Sequence, residues 1–183
     1  MDNISTVLKK LTLVTALLLS VVLTTQAQTD TKIIGNKQRS GSASTSFDLV
    51  KGKQVGIKMN AGHKPVQLLK FNFTVESQCT DTIRFKVNIY EFNYVTPGAN
   101  LAKQEITGGI TRGKHHISID LEPYKIIAKK ELLVAIEFLN DYHCDNHFAI
   151  GLFNGGTYHF ENGVWKKLAV AGVDFNLLVR KMK

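Results

Sequence analysis

The chain has 183 residues, of which 44% are hydrophobic and 21% charged, and its formal net charge is +8 at pH 7. This composition is ordinary for a globular protein and excludes extensive intrinsic disorder. Without a leader, about 150 residues form one domain, which buries about two-thirds of its unfolded surface without added cross-links. The positive excess is compatible with an acidic partner, but the basic residues are scattered, which favours a solvated surface over nucleic-acid binding.

The N-terminus has the pattern of a secretory signal. Lys9 and Lys10 precede an apolar run over residues 11–23, and small or polar residues then lead to Ala27. A basic start, a short apolar run and a small residue before the cut predict a signal peptide over residues 1–27. The run is shorter than the about 20 residues that a membrane-spanning helix needs. We therefore expect export to the periplasm, cell surface or extracellular space, with no transmembrane segment in the mature chain.

A short arm precedes the folded domain. Residues 28–45 are rich in Thr, Ser, Gly and Lys, which predicts a flexible linker, and the domain is expected over residues 46–183. Phe47 and Leu49 stand at strand spacing, and the next alternation covers residues 55–59. The segment 60–65 has the composition of a loop and ends in Pro65, which cannot donate a hydrogen bond into a β-ladder.

The most regular stretch runs from residue 66 to residue 92. Two apolar alternations with a period of two are separated by polar residues at 78–81, which favours two half-buried strands joined by a tight connection. The apolar positions are Leu69, Phe71, Phe73 and Val75 in the first run and Ile83, Phe85, Val87 and Ile89 in the second.

Turn signals divide the second half of the chain. Pro97-Gly98 predicts a turn, and residues 101–107 predict a weak edge strand. Residues 131–139 are apolar on both faces, which fits a short helix or a central strand, and the neighbouring strands favour the strand. Asn162-Gly163 predicts a tight hairpin. Counting gives nine to eleven short strands, and the fold class is all-β: an antiparallel, jelly-roll-like β-sandwich.

Several fragments resemble a known family. They are Arg84–Tyr90, Pro97-Gly98 with Asn100-Leu101, Ile119–Leu121 with Tyr124 and Ile126, and Val134–Glu137. In this order they are similar to the jelly-roll-like domain at the C-terminus of secreted bacterial proteins with carboxypeptidase-regulatory-like domains. The resemblance covers roughly residues 66–180 and rests on core and turn residues. It implies an exported, non-catalytic β-sandwich and carries over no active-site motif.

The chain contains two cysteines, Cys79 and Cys144. An even number permits a disulfide in an exported protein. Each cysteine follows a predicted strand, and four strands separate those two strands, so both loops are expected at the same end of the fold. A disulfide is therefore geometrically possible, and two free thiols at separate sites are the alternative.

The segment 141–147 contains the densest group of metal-ligating residue types. His143, Cys144 and His147 have side chains that bind zinc or a similar ion. A loop has no fixed ligand face, however, the fourth ligand is unnamed, and a disulfide would remove Cys144. No metal or cofactor is therefore predicted. The sequence also has no nucleophile elbow and no phosphate-binding glycine loop, and we predict no catalytic residue.

Aromatic residues suggest a binding surface. Tyr90, Phe92 and Tyr94 share one strand face, and exposed aromatic rings stack on sugars or on apolar partners. Trp165 and Phe160 are instead expected to close one end of the core. The sequence thus predicts an exported, non-catalytic interaction module whose partner is a glycan or an envelope protein. The alternatives are a metal-dependent hydrolase that uses the His143/His147 loop and a purely structural envelope subunit.

Overall fold

The computed structural model describes residues 30–37, 43–93 and 96–182. The predicted signal peptide and Tyr94 lie outside these residues. From Thr31 onward the described chain belongs to one compact unit. It contains strands and one turn of 3-10 helix, Glu122–Tyr124, and no helix in this part of the chain is long and apolar enough to span a membrane.

The described residues contain thirteen strands, and every pairing between them is antiparallel. The strands are Thr31–Gly35 (β1), Ser44–Thr45 (β2), Gln54–Ser77 (β3), Ile83–Asn93 (β4), Thr96–Asn100 (β5), Thr107–Ile110 (β6), Gly113–Asp120 (β7), Ile127–Phe138 (β8), Asn146–Leu152 (β9), Thr157–Glu161 (β10), Val164–Leu168 (β11), Ala171–Val173 (β12) and Asn176–Lys181 (β13). The predicted all-β class is confirmed. The predicted count of nine to eleven is wrong, because β2, β5 and β12 are short strands without an apolar alternation.

The strand β3 is 24 residues long and belongs to both layers of the fold. Its first half pairs with β8 and β10, and its second half pairs with β13, β7 and β9. The two halves meet where the pairing with β8 shifts register around Gly62. The segment 60–65, predicted as a loop, is therefore a bend inside a continuous strand.

The two halves of β3 lie in two packed layers. The first layer has the order β4–β8–β3–β10–β11, with β5 and β6 on the outer edge of β4. The second layer contains β7, β13, β1, β9, β2 and β12 around the second half of β3. Phe73 of the second layer packs against Phe85 of the first, with ring centroids 5.7 Å apart. The core therefore lies between the layers of a β-sandwich.

Apart from Leu69, the apolar positions of the two alternations belong to this core, as predicted. All eight apolar positions of residues 69–89 are buried, and so are the core-facing residues Leu132, Val134 and Ile136 of β8. The prediction of a strand over residues 131–139 is confirmed. Both of its faces are apolar because Leu133, on the opposite face, belongs to a second, smaller apolar cluster.

Three local predictions differ from the structure. The linker prediction is wrong for residues 31–35, which form β1, because Ile34 is buried and the strand pairs along β13. Pro97-Gly98 lies inside the edge strand β5. Residues 101–106 form no strand, although Leu101 donates to the Ile89 carbonyl and Val87 donates to the Ile106 carbonyl, both at 2.7 Å. This segment therefore bulges away from β4 between two points of contact.

The structure contains the tight hairpin that the sequence predicts at Asn162-Gly163. Asn162 and Gly163 have φ angles of 52° and 79°, which a two-residue type I′ hairpin turn requires, and they join β10 to β11.

Cys79 and Cys144 form a disulfide with their Cα atoms 5.1 Å apart. Beside it, the amide of Gln78 donates to the Asp145 carbonyl at 2.9 Å. The bridge therefore joins the end of β3 to the loop before β9.

Candidate functional site

The outer face of the first layer, which points away from the core, carries an unusual mixture of aromatic and polar side chains. Strand register brings them together from five strands. One row of cross-strand neighbours consists of Lys86, Glu137, Gln54, Phe160 and Trp165, taken in order from β4 to β11. Tyr90 and Phe92 follow along β4, and Tyr158 follows on β10.

Two small residues form the middle of this face. Gly56 and Ala135 are cross-strand neighbours, and a Cβ atom added at Gly56 would lie 2.7 Å from the Cβ of Ala135. The space above them lets the rings of Tyr158 and Phe92 meet with centroids 5.4 Å apart, although three strand spacings separate their backbones. The outer face therefore carries an aromatic cluster over a floor of small residues.

A hydrogen-bond network borders this cluster. The Tyr90 hydroxyl donates to Oε1 of Gln54 at 3.0 Å, and Nδ2 of Asn88 donates to the same oxygen at 3.2 Å. Nδ2 of Asn88 also donates to Oε2 of Glu137 at 2.7 Å, and Nζ of Lys86 lies 3.0 Å from that oxygen. Gln54 and Asn88 are only 8% and 2% exposed. The network therefore fixes the orientation of the polar groups that reach the surface.

Tyr90 and Trp165 connect the network to the aromatic cluster. Their rings meet edge to face with centroids 6.0 Å apart, and Trp165 also contacts Phe160 at 5.3 Å. Burial raises the pKa of the Tyr90 phenol above 10.0, its ordinary value, so the hydroxyl stays a donor at neutral pH. The expectation that Trp165 and Phe160 close the main core is wrong, because the hairpin β10–β11 carries them onto the outer face instead.

The predicted binding residues lie in or next to this site, but not as an exposed platform. Tyr90 is half-buried and hydrogen-bonded, and Tyr94 is outside the described residues. Phe92 is 5% exposed, because the Tyr158 ring packs on it and the Lys58 ammonium lies 5.4 Å from its centroid. The expectation of a free ring is therefore wrong for Phe92.

Sequence reasoning missed Gln54, Asn88 and Glu137. These residues lie on three strands that are distant in the chain, and each alone resembles a solvated polar residue of a half-buried strand. One sequence feature could have indicated the site: Glu137 is a charged residue that interrupts the apolar run over residues 132–138 of β8. Only the register of β3, β8 and β4 brings the three side chains together.

The hairpin that carries Trp165 is held in place by an ion-pair network. Nζ of Lys53 lies 3.0 Å from Asp48 Oδ2 and 2.6 Å from Glu161 Oε1. The hydrogen bond from Lys53 lowers the pKa of Glu161, and the hydrogen bonds with Glu161 and Asp48 raise the pKa of Lys53. This network ties β10 to the segment before β3.

The histidine loop does not form a metal centre. His143 and residues 144–146 line a cleft of about 450 Å³ with residues 46–50, and Nδ1 of His147 lies 3.3 Å from Oγ of Ser46. Cys144 is bonded to Cys79. Across the described ranges, no group of three or more His, Cys, Asp or Glu side chains is placed to hold a metal ion. The structure therefore brings His143 and His147 into no set of three or more candidate ligands within the described residues.

Comparison with known proteins identifies a structural similarity only. No protein-family model matches the chain, and no curated protein matches it. One similar structure comprises the cysteine protease and lectin-like domains of Cwp84, a surface layer associated protein of Clostridium difficile; the TM-score is 0.62 at 10% identity over 86% of this chain and 37% of that one. A second, of the clostridial cysteine protease Cwp84 after propeptide cleavage, gives 0.62 at 9% identity over 86% and 42%. The chain thus spans about two-fifths of these proteins, and the similarity supports the fold alone.

Proposed function

We propose that this protein is an exported, non-catalytic module that binds a saccharide of the cell envelope or its surroundings through the outer face of the first layer. The observation that carries the proposal is the network of Tyr90, Gln54, Asn88, Glu137 and Lys86 beside the half-buried ring of Trp165. Saccharide sites combine aromatic surface with a few fixed polar groups, because a sugar ring has apolar C–H faces and a rim of hydroxyl groups.

The chemistry of the polar groups suits hydroxyl recognition. Glu137 offers carboxylate oxygens that accept hydrogen bonds, and the Tyr90 hydroxyl, whose hydrogen is donated to Gln54, offers acceptor lone pairs, whereas the Lys86 ammonium carries donors. Their contacts with one another hold them in place before a ligand arrives, which reduces the entropy lost on binding. A ligand that lies along Trp165 would therefore meet both donors and acceptors without a large rearrangement.

The structural neighbours are compatible with this function in one respect. The first neighbour comprises cysteine protease and lectin-like domains, and the second is a cysteine protease. A cysteine protease needs a free thiolate as its nucleophile. The present sequence has two cysteines, and Cys79 and Cys144 are bonded to each other. The lectin-like comparison is therefore the one that this chain's chemistry can support.

Export and family membership are parts of the same proposal. The basic and apolar pattern over residues 1–27 and the disulfide both fit an oxidising compartment outside the cytoplasm. Protein purified from its native host should then begin near Gln28, as determined by mass spectrometry. The all-β sandwich also supports the resemblance to the jelly-roll-like domain that follows carboxypeptidase-regulatory-like domains, and we extend the proposal to that family.

A glycan array probed with residues 28–183 tests the binding function. The saccharide with the strongest signal is then titrated by calorimetry against Trp165→Ala and Glu137→Gln. Trp165→Ala should weaken binding about twofold to tenfold, since an aromatic contact contributes about 0.5–1.5 kcal/mol and 1.4 kcal/mol is a factor of ten. Glu137→Gln should weaken it at least about tenfold, since a hydrogen bond to a charged group contributes about 1.5–3 kcal/mol. Phe153→Ala is the matched control, because Phe153 is 86% exposed on the turn that follows β9, a strand of the second layer.

Circular dichroism of every variant confirms that the fold is retained. Unchanged affinity in both Trp165→Ala and Glu137→Gln would move the site away from the outer face. Absence of any array signal would leave the saccharide proposal without support. Hydrolysis of the bound saccharide by the purified protein would contradict the non-catalytic part of the proposal.

A further inference from the structure

A second concave site lies at one end of the outer face, where β3 bends. Two overlapping cavities of about 480 and 390 Å³ form one cleft between the bend, the start of β8 and the end of β4. Phe92, His63, Lys130 and Glu131 line both cavities. The volume lies within the range of about 300–1,000 Å³ that small-ligand sites occupy. We call this site the bend cleft.

The backbone of the bend cleft is constrained on both paired strands. Gly62 has a φ of 95° and faces Lys130, which has a φ of 60°. A non-glycine residue in the left-handed region is uncommon and is held there by its surroundings, often at functional sites. The paired irregularity breaks the ladder and opens the space between β3 and β8. As a result, His63 and Lys130 lie on the rim of the cleft.

Several lysines lie on or near the rim. Lys129 and Lys130 line the cleft, and Nζ of Lys32, which donates to the Ala61 carbonyl, lies 3.8 Å from where a Cβ of Gly62 would be. Of the two acids on the rim, Glu131 is paired with Lys58 at 2.8 Å.

The resulting local charge is positive. The ammonium groups of Lys129 and Lys130 line the cleft together with the carboxylate of Glu91, and Lys58 neutralises Glu131, so the net charge of the rim is +1. This arrangement favours an anion.

The floor of the cleft is apolar. Phe92 and Ala128 are buried, and Leu101 completes the floor at the edge of β4. A simple inorganic anion has no apolar surface that could pack against such a floor. A sugar acid, in contrast, has both an apolar ring face and a charged substituent. A carboxylate or sulfate group against lysines gains charge-assisted hydrogen bonds, while the ring covers apolar surface.

From this geometry we propose that the bend cleft binds an acidic sugar unit, with its anionic group against Lys129 and Lys130 and its ring against the exposed side chain of Ile127 and the half-buried side chain of Leu101. This inference rests on the proposed function and specifies its ligand, because Phe92 belongs to both the cleft and the aromatic cluster of the outer face. The ligand class is then an acidic polysaccharide, and the cleft holds one of its charged units.

The test compares hexasaccharides of equal length by calorimetry: hexagalacturonate, a sulfated hexasaccharide and neutral cellohexaose. The variant Lys129→Gln/Lys130→Asn removes both charges, and Asn is chosen at position 130 because it tolerates a positive φ better than other side chains. Lys51→Gln/Lys103→Gln removes two exposed charges elsewhere and is the matched control. At low salt the parent should bind an acidic probe at least tenfold more tightly than cellohexaose.

The cleft variant should lose this preference, whereas the control should stay within twofold of the parent. An unchanged preference in the cleft variant overturns the inference. If Trp165→Ala alone weakens binding of all probes, the proposed function stands without an acidic site in the cleft. If no probe binds, both proposals fall. Free sulfate that binds as tightly as the sulfated hexasaccharide would reduce the cleft to an anion site and also overturn the inference.

Discussion

The substitution Phe73→Ala should remove the centre of the main core. Phe73 is 0% exposed, and its ring centroid lies 5.3 Å from Phe71, 5.7 Å from Phe85, 6.1 Å from Phe148 and 5.1 Å from Phe175. Removing a buried phenyl ring loses its transfer free energy and leaves a cavity, which together cost about 3–5 kcal/mol. Because the four neighbouring rings belong to different segments, the site cannot collapse easily, and we expect the upper half of that range.

Urea unfolding followed by circular dichroism and by the fluorescence of Trp165 measures this loss. The midpoint should fall while the denaturant slope stays the same, because the surface exposed on unfolding is nearly constant. Phe153→Ala makes the same chemical change at a ring that is 86% exposed, and its free energy of unfolding should stay within about 0.5 kcal/mol of the parent. A loss below about 1 kcal/mol for Phe73→Ala, or one equal to that of Phe153→Ala, would refute this description of the core.

Two further predictions concern the disulfide and the outer face. Cys79 and Cys144 are 65 residues apart, so replacing both with Ser should lower the free energy of unfolding by about 4 kcal/mol, and denatured, unreduced protein should show no labelled thiol. Because burial raises the pKa of Tyr90, an ultraviolet titration should contain an ionisation step above pH 10, and Tyr90→Phe should abolish that step. Because the folded pKa lies above the unfolded one, the associated stability is complete below about pH 10 and is lost as the pH rises through the folded value.

The residues that face the core could be predicted from the sequence more reliably than the pairing of the strands. The alternation over residues 69–89 depends only on local geometry, since side chains of a strand alternate between two faces. The site depended on long-range pairing instead. Phe92 has the same spacing as an exposed wet-face residue, and only the position of Tyr158, which lies three strands away, shows that its ring is covered.

Pro65 illustrates the same limit at the level of secondary structure. Its missing amide hydrogen argues against a regular ladder, and the composition of residues 60–65 therefore predicted a loop. In the fold, the register shifts at that point, so the ladder between β3 and β8 does not require a donor from Pro65. The strand continues because its second half finds new partners in β13 and β7.

A strand that belongs to both layers has a consequence for how the domain opens. Neither layer can lose its part of β3 without disturbing the other, since five other strands pair with that one segment. Partial unfolding by separation of the layers is therefore disfavoured. Amide hydrogens on both sides of the bend should exchange with solvent at one common rate, set by global unfolding. The domain would then respond to pulling or heating as a single mechanical unit.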